Sequence, residues 1–187
     1  MSPQDFERWK RGSSSANWSD FTKLEEICRN LKNSLSQEQK GNCCYCEKKN
    51  DCQNSRDSHV EHLLPRSKYP QKTFAYDNLL LSCNFSDSCG FSKGNTCIPV
   101  APTDPDCEKR FTYTGDGQVI PADPEDSNAE KTIKILGLNS KRLIDNRRSI
   151  IRELAKACPD YISSAAENCN EWYKGFYTVI KYVEKKL

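Results

Sequence analysis

Long apolar runs are missing from this sequence. Nowhere among its 187 residues are there the roughly 18 consecutive apolar residues that a membrane span requires, and the first residues include no apolar segment of the kind that directs secretion. Hydrophobic residues make up only 36 % of the chain. We therefore expect a cytoplasmic protein with no membrane partner, whose modest apolar core needs another source of rigidity.

An excess of charge of one sign is also missing. The net charge is +2, so the total gives no basic footprint of a nucleic-acid-binding protein. The charges are nevertheless separated along the chain: residues 101–130 carry eight acids and two bases, a local −6, and residues 131–187 carry twelve bases and six acids, a local +6. Binding to a polyanion therefore stays open.

Cysteine, by contrast, is plentiful, with eleven residues. Thiols stay reduced in a protein that is not secreted, which favours a metal site over disulfides. The Cys-x-x-Cys pair Cys43 and Cys46 is followed by a wider pair, Cys83 and Cys89. Four thiolates suit tetrahedral zinc, so we predict a structural zinc site here; buried free cysteines are the plain alternative. Possible substitutes for the wider pair are Cys44, Cys52 and Cys97.

Composition divides the chain into four stretches. Both cysteine pairs and both histidines fall in the second, the third is rich in acids and proline, and the first and last show helical periodicity. The predicted units are an N-terminal helical segment (1–40), a metal-binding core (41–97), an acidic, proline-rich loop (98–130) and a C-terminal helical region (131–187).

Local patterns place elements within these stretches. A flexible lead-in to about residue 18 precedes a helix with an apolar stripe from Leu24 to Leu35 and an N-cap at Ser19 or Asp20. Short β-leaning runs at SHVEHLLP and NLLLSC predict two strands, and GFSKGN after Cys89 predicts a short helix or turn. The GDG within FTYTGDGQVIP indicates a hairpin-like turn in the third stretch.

An apolar stripe marks the last helical run. Trp172, Phe176, Ile180 and Val183 are predicted to share one face of a helix. We predict that Phe176 packs in the core. Val183 and the neighbouring Tyr182, near the end of the run, are predicted to dock a partner protein, because fewer contacts hold a terminal segment.

The segment His59-Val60-Glu61-His62 lies between the cysteine pairs. A carboxylate and a neighbouring imidazole can take two separate roles, binding a cation and accepting a proton. Glu61 can hold a hard cation such as Mg²⁺ or Mn²⁺, and His62 can take a proton from water near neutral pH. The structural alternative is that the two histidines pack in the core or bind zinc. With four thiolates available, zinc has less need of histidine ligands.

These motifs together resemble a known family. CCYCE, HVEHLLPRSKYP, YDNLLLSC and CGFSKGN resemble the HNH endonucleases, whose ββα-metal core carries His on the first strand, Asn in the linking loop and a metal ligand on the helix. With the later TIKILGLNS and LIDNRR stretches, the chain is most similar to the PtuB-like HNH nucleases of Septu and retron antiviral defence systems. The resemblance implies an α+β fold, a zinc-stapled ββα-metal core flanked by N-terminal and C-terminal helices.

The resemblance also implies roles for particular residues. His62 matches the general base, Glu61 the acidic ligand of the catalytic ion, and Asn78 the residue that orients the base. One position departs from the pattern, because Gly90 stands where many HNH proteins carry a metal-binding His or Asn. The structural zinc ligands would be Cys43, Cys46, Cys83 and Cys89. A second ligand of the catalytic ion could come from Asn84, Asp87, Asn95 or His59.

The expected substrate is nucleic acid. Arg66, Lys68 and Lys93 are the predicted phosphate contacts, although a solvated charged face is the plain alternative for such residues. DNA is favoured, with RNA, including tRNA, as the alternative. The subfamily implies a PtuA-like ATPase as partner. Two other classes stay open: a non-catalytic zinc-knuckle module that binds nucleic acid, and an interaction protein built on a structural zinc.

Overall fold

Helices surround two small sheets in this computed structural model, which describes residues 1–13 and 16–186. The helices are α1 (Gln4–Gly12), α2 (Trp18–Phe21), α3 (Glu25–Glu38), α4 (Cys89–Lys93), α5 (Ser127–Ile135), α6 (Lys141–Leu154), α7 (Pro159–Glu167), α8 (Cys169–Trp172) and α9 (Tyr177–Glu184). The strands are β1 (Ser58–His62), β2 (Leu79–Cys83), β3 (Phe111–Tyr113) and β4 (Val119–Pro121). None of the described helices is both long and apolar enough to cross a bilayer.

Strands β1 and β2 form an antiparallel pair, and α4 packs against β2. His59 lies opposite Ser82, and Glu61 lies opposite Leu80. The two predicted strands and the short helix after them are therefore confirmed. The result is a mixed fold of helices and small sheets, in which a ββα unit sits at the centre.

Apolar side chains from both ends of the chain cover this unit. Leu79 and Leu81 of β2 belong to a cluster with Phe6, Phe21, Leu31 and Leu35 from the N-terminal helices. Cys83, at the end of the same strand, belongs to a second cluster with residues of α5, α6, α7 and α9. The core residues of the ββα unit are thus shared with the N-terminal and C-terminal helices.

The N-terminal stretch differs from the expected flexible lead-in. Residues 4–12 form helix α1, because Phe6 is fully buried and packs edge-on against Phe21, with ring centroids 5.4 Å apart. The predicted amphipathic helix is present but begins at Glu25, and the preceding turn α2 is capped by Asn17, whose side chain accepts from the amide of Asp20. Neither predicted cap holds. Two residues of the serine run, Ser14 and Ser15, lie outside the described residues.

The hairpin signal in the acidic stretch is confirmed. β3 and β4 pair antiparallel around Gly115–Gly117. Arg110 and Asp126 close the base of this hairpin with two hydrogen bonds of 2.7 Å and 2.6 Å. Asp126 also caps α5 by accepting from the amides of Asn128 and Ala129.

The last helical run is not one helix. Trp172 ends α8 and is 46 % exposed, and the chain then passes through positive φ at Lys174, Gly175 and Phe176 before α9 begins. Phe176 is buried, as predicted. Val183 is only 4 % exposed and packs in the core, so its predicted role in docking a partner is wrong. Its neighbour Tyr182 is half-buried against Tyr113, with ring centroids 5.8 Å apart.

Residues 43–49, here called the knuckle loop, are joined to the segment that leads into α9. The amide of Lys49 donates to the carbonyl of Lys174 at 2.7 Å, and the amide of Phe176 donates to the carbonyl of Glu47 at 3.2 Å. The Glu47 carboxylate accepts from the amide and the hydroxyl of Thr178 at 3.0 Å and 2.8 Å. The start of α9 therefore holds the loop that carries the first cysteine pair.

Candidate metal centre and catalytic site

The four predicted zinc ligands come together in the structure. The sulfur atoms of Cys43, Cys46, Cys83 and Cys89 all lie within 4.8 Å of one another, and all four residues are buried. The knuckle loop supplies the first two, the end of β2 the third and the start of α4 the fourth.

The distances fit a tetrahedral zinc site. Tetrahedral zinc with Zn–S bonds of about 2.3 Å places neighbouring sulfurs about 3.8 Å apart, and the sulfurs of Cys46 and Cys83 are 3.8 Å apart. The other thiols that could have substituted, Cys44, Cys52 and Cys97, are not part of this group. The four cysteines can therefore bind zinc.

Among the four thiols, that of Cys43 loses its proton most readily. Burial raises the pKa of Cys43, but hydrogen bonds from the surrounding thiols outweigh it and hold this pKa well below its usual value. Hydrogen bonds to Cys43 raise the pKa of Cys46 and of Cys89. The negative charge of one thiolate raises the free-energy cost of deprotonating the next thiol. Four thiolates together therefore need a cation among them.

Glu61 and His59 point to the same side of β1, since they are two residues apart on a strand. The Nε2 atom of His59 is 3.2 Å from Oε2 of Glu61. The hydroxyl of Tyr45, from the knuckle loop, donates to the other oxygen, Oε1, at 3.2 Å. This face of β1 thus presents a carboxylate and an imidazole side by side.

Lys93 is buried, whereas a residue that contacts phosphate is expected at the surface. Its side chain is 1 % exposed, and its ammonium Nζ is 2.7 Å from Oε1 of Glu61. The ammonium also donates to the backbone carbonyl of His62 at 2.9 Å. The predicted phosphate contact at Lys93 is wrong, because α4 turns this side chain inward onto β1.

The Lys93 ammonium and the imidazole of His59 keep Glu61 ionised. Burial raises the pKa of this carboxyl. Hydrogen bonding to His59 and the nearby charge of Lys93 lower the pKa by more than burial raises it, so the net shift is downward. Glu61 is therefore a carboxylate at neutral pH and keeps Oε2 available beside His59.

His62 ends β1 and is buried against the N-terminal aromatic residues. Its Nε2 atom is 3.0 Å from the carbonyl oxygen of Thr73, which can only accept, so Nε2 carries the proton and Nδ1 carries the lone pair. The ring meets Trp18 edge-on at 4.3 Å between centroids. Burial lowers the pKa of His62 to about 4, and the charge of Arg66 acts in the same direction. His62 is thus a neutral imidazole at pH 7.

Asn78 acts on the loop between the strands. Its side-chain oxygen accepts from the amide of Leu64 at 2.7 Å, and its nitrogen donates to the carbonyls of Leu64 and Lys72, each at 3.1 Å. The residue after Lys72 is Thr73, whose carbonyl holds His62. Asn78 therefore does not contact the imidazole of His62 but helps to position it, because it holds the loop backbone next to Thr73.

Two of the predicted phosphate contacts are accessible. Arg66 and Lys68 are both exposed and follow His62 closely in the chain. The guanidinium of Arg66 stacks over the ring of Trp18 at 5.6 Å, and Trp18 in turn contacts His62. Arg66 therefore lies at the edge of the candidate site.

The chain is similar to one curated retron protein. It is 29 % identical over 143 residues to a protein of Vibrio cholerae serotype O1 biovar El Tor named "Retron Vc95 putative HNH endonuclease", and the match covers 72 % of this chain and 68 % of that protein. No family model matches the chain. The similarity supports a relationship with HNH proteins and with retrons.

The sequence patterns do not predict three participants in the site. They place Trp18 at the end of a flexible lead-in, whereas its contact with His62 depends on how α1 to α3 pack. Thr73 contributes only its backbone carbonyl, which no side-chain pattern reveals. Tyr45 lies between the cysteines of CCYCE, so its place in the knuckle loop is the one signal that could have indicated it.

Proposed function

We propose that this protein is a metal-dependent endonuclease that hydrolyses phosphodiester bonds of nucleic acid in antiviral defence. The observation that carries the proposal is the neutral His62, whose Nε2 is bound to the carbonyl of Thr73 and which directly follows the ionised Glu61 along β1. The similarity to a protein named as a retron HNH endonuclease supports the same conclusion.

In the proposed reaction His62 takes a proton from the attacking water at Nδ1. Asn78 holds the loop that fixes the imidazole, and Lys93 holds Glu61 in place. Glu61 and His59 would hold the catalytic divalent ion, Mg²⁺ or Mn²⁺. A bound divalent ion stabilises negative charge on the scissile phosphate and on the leaving oxygen. The zinc at the four cysteines is structural, since all of its ligands are protein thiolates.

Arg66 and Lys68 are the proposed contacts with the nucleic-acid backbone. Both residues are exposed, and Arg66 lies over the ring of Trp18, which supports this role. The net charge of +2 is small for a nuclease that binds a polyanion alone, which fits a nuclease that gains affinity within a complex. Because the chain resembles the PtuB-like nucleases, we propose a PtuA-like ATPase as the partner in that complex. We also propose cytoplasmic action and DNA as the first substrate, with RNA second.

The test is cleavage of a panel of DNA and RNA, single- and double-stranded, with Mg²⁺ or Mn²⁺ and with or without the partner ATPase. His62→Ala should lose at least about 100-fold in rate, the usual scale for a general base, while it still folds and keeps its zinc. Glu61→Gln should need more metal for the same rate, whereas Glu130→Gln on the exposed face of α5 should behave as wild type.

The basic residues have a matched control of their own. Arg66→Ala and Lys68→Ala should weaken binding to all sequences about equally and flatten its salt dependence, and Lys134→Ala on α5 should not. Binding without any cleavage, with or without the ATPase, would instead identify a zinc-knuckle module. Unchanged cleavage by His62→Ala would refute the assignment of the base.

A further inference from the structure

An open cavity of about 340 Å³ lies where α1 meets the loop between β1 and β2. Side chains from both segments line it: Trp9, Lys10 and Ser13 from the N-terminal side, and Gln71, Phe74 and Ala75 from the loop. Pockets for small molecules span about 300–1,000 Å³. This cavity is at the lower end of that range, so it suits one flat group better than a large ligand.

Two aromatic rings form a corner of the cavity. The centroids of Trp9 and Phe74 are 5.0 Å apart, and their planes are inclined by 75°. A flat aromatic group can therefore stack on one ring while the edge of the other ring meets it. The amide of Gln71, on the same cavity, offers a donor and an acceptor of the kind that pair with the edge of a base. A nucleobase, which has an aromatic face and a polar edge, matches this lining.

The loop that lines the cavity also positions the proposed general base. Thr73, whose carbonyl oxygen is 3.0 Å from Nε2 of His62, lies between Gln71 and Phe74 in the chain. The ring of Phe74 stacks on Trp18 at 5.7 Å between centroids, and Trp18 meets His62 at 4.3 Å. Only one ring therefore separates a wall of the cavity from the imidazole, so a group held there would belong to a nucleotide close to the scissile phosphate.

The charges around the cavity suit a polyanion. Helix α1 and the loop of residues 63–78 together contain six bases and three acids, a local charge of +3, whereas the whole chain has +2. Two of the bases, Lys10 and Lys72, pair with acids of the same segments. The other four bases are exposed: Arg8, Arg11, Arg66 and Lys68. A nucleic-acid backbone can thus pass the cavity among cations.

We propose that this cavity binds one unpaired base of the nucleic-acid substrate, against the rings of Trp9 and Phe74 and the amide of Gln71. The proposal rests on the proposed function, because it gives the same substrate a subsite beside His62. A base within a continuous duplex is stacked on its neighbours and paired at its edge, so it enters such a cavity only after it is extruded, at a cost in free energy. The preferred substrates are therefore single strands, loops and bulges.

The test measures binding to the zinc-loaded full chain by fluorescence anisotropy, at fixed salt and without added Mg²⁺ or Mn²⁺. Two single-stranded DNA probes of six nucleotides are compared, one with its bases and one that is abasic throughout. Both carry the same phosphates, so the electrostatic contribution to binding is matched. Wild type should bind the probe with bases at least about fivefold more tightly, the lower end of the effect of stacking one base.

Ala75→Leu fills the cavity and keeps both aromatic rings. It should remove the preference for the probe with bases and leave the affinity for the abasic probe unchanged. Ala155→Leu, at an exposed position directly after α6, is the matched control and should keep the preference. Equal affinity of wild type for the two probes, or a full preference in folded Ala75→Leu, would overturn the proposal.

Gln71→Ala decides the question if Ala75→Leu fails to fold, because Gln71 is exposed and its loss leaves the packing intact. The loss of one hydrogen bond should weaken binding of the probe with bases about fivefold and leave the abasic probe unaffected. Gln37→Ala, at an exposed position of α3, should bind both probes as wild type does. If Gln71→Ala were then the deciding variant, wild-type binding of both probes would refute the subsite.

The outcomes separate this proposal from the proposed function. A protein that prefers the probe with bases through this cavity, but cleaves no nucleic acid, keeps the base subsite and loses the nuclease activity. A protein that cleaves single strands and duplexes equally well, and does so unchanged in Ala75→Leu, keeps the nuclease activity and loses the base subsite.

Discussion

Replacing Lys93 with methionine removes the ammonium that faces Glu61 and keeps an unbranched side chain. The two side chains are 1 % and 8 % exposed, and their charged atoms are 2.7 Å apart. Removing one partner of a buried ion pair leaves an uncompensated charge and costs about 3–5 kcal/mol. The hydrogen bond to the carbonyl of His62 is lost as well. We expect Lys93→Met to lower the free energy of unfolding by about 3 kcal/mol, a large part of the 5–15 kcal/mol typical of a domain.

The assay is urea unfolding followed by circular dichroism at pH 7 in the presence of zinc. Lys68→Met is the matched control, because Lys68 is exposed and its replacement should change stability by no more than about 0.5 kcal/mol. The double variant Glu61→Gln/Lys93→Met should recover part of the loss, since a buried amide is less costly than a buried unpaired carboxylate.

The loss should also depend on pH with a definite sign. The folded-state pKa of Glu61 is lowered, so its contribution to stability is present above the ordinary pKa of 4.5 and is lost as pH falls through the lowered value. In Lys93→Met burial would instead raise the pKa of Glu61, so this carboxyl takes up its proton as pH falls from 7 towards 5. The difference in the free energy of unfolding between wild type and Lys93→Met should therefore be largest at pH 7 and should become smaller towards pH 5.

A different result would refute this reasoning. If Lys93→Met lost less than about 1 kcal/mol and instead bound nucleic acid more weakly with a flatter salt dependence, Lys93 would be the phosphate contact that the sequence suggested.

Three other predictions use the same structure. Purified protein should contain about one tightly held zinc, and Cys46→Ser should lower both the zinc content and the melting temperature, as elemental analysis and thermal unfolding would reveal; protein without zinc would remove the basis for the four-thiolate site. In His59→Ala only one imidazole remains, and NMR should place the pKa of His62 near 4; a value near 6.5 would mean that the ring is not buried as described. Val183→Asp should be insoluble or melt well below wild type because it buries an unpaired carboxylate, whereas Tyr177→Asp, at a 42 % exposed position, should remain soluble.

The central unit could be predicted because its signals are local in the sequence. Spacing alone grouped Cys43 with Cys46, and short β-leaning runs between turn residues marked β1 and β2. The motif that ends at His62 lies within one of these strands. Each of these features is decided by residues only a few positions apart.

The surroundings of the site could not be predicted, because they depend on packing between distant segments. Lys93 had the sequence context of a surface cation, and only the turn of α4 against β1 brings it inward to Glu61. Trp18 reaches His62 within an aromatic cluster, in which it packs on Phe21 and Phe21 packs on Phe6; these contacts have no periodic signature. Val183 was misassigned for the same reason, since the break before α9 rotates the last apolar face into the core.

The hold of the C-terminal segment on the knuckle loop has a consequence for protein synthesis. Glu47 and its partner Thr178 are 131 residues apart. A ribosome that adds about 5–20 residues per second needs roughly 7–26 s to pass from one to the other. Until residues 176–178 are made, the carboxylate and carbonyl of Glu47 have none of their final partners, although all four cysteines are present once Cys89 has been added. The loop therefore acquires its hydrogen bonds to residues 174–178 only after those residues have been translated, so a released fragment that ends before residue 174 would carry the motif residues without this support.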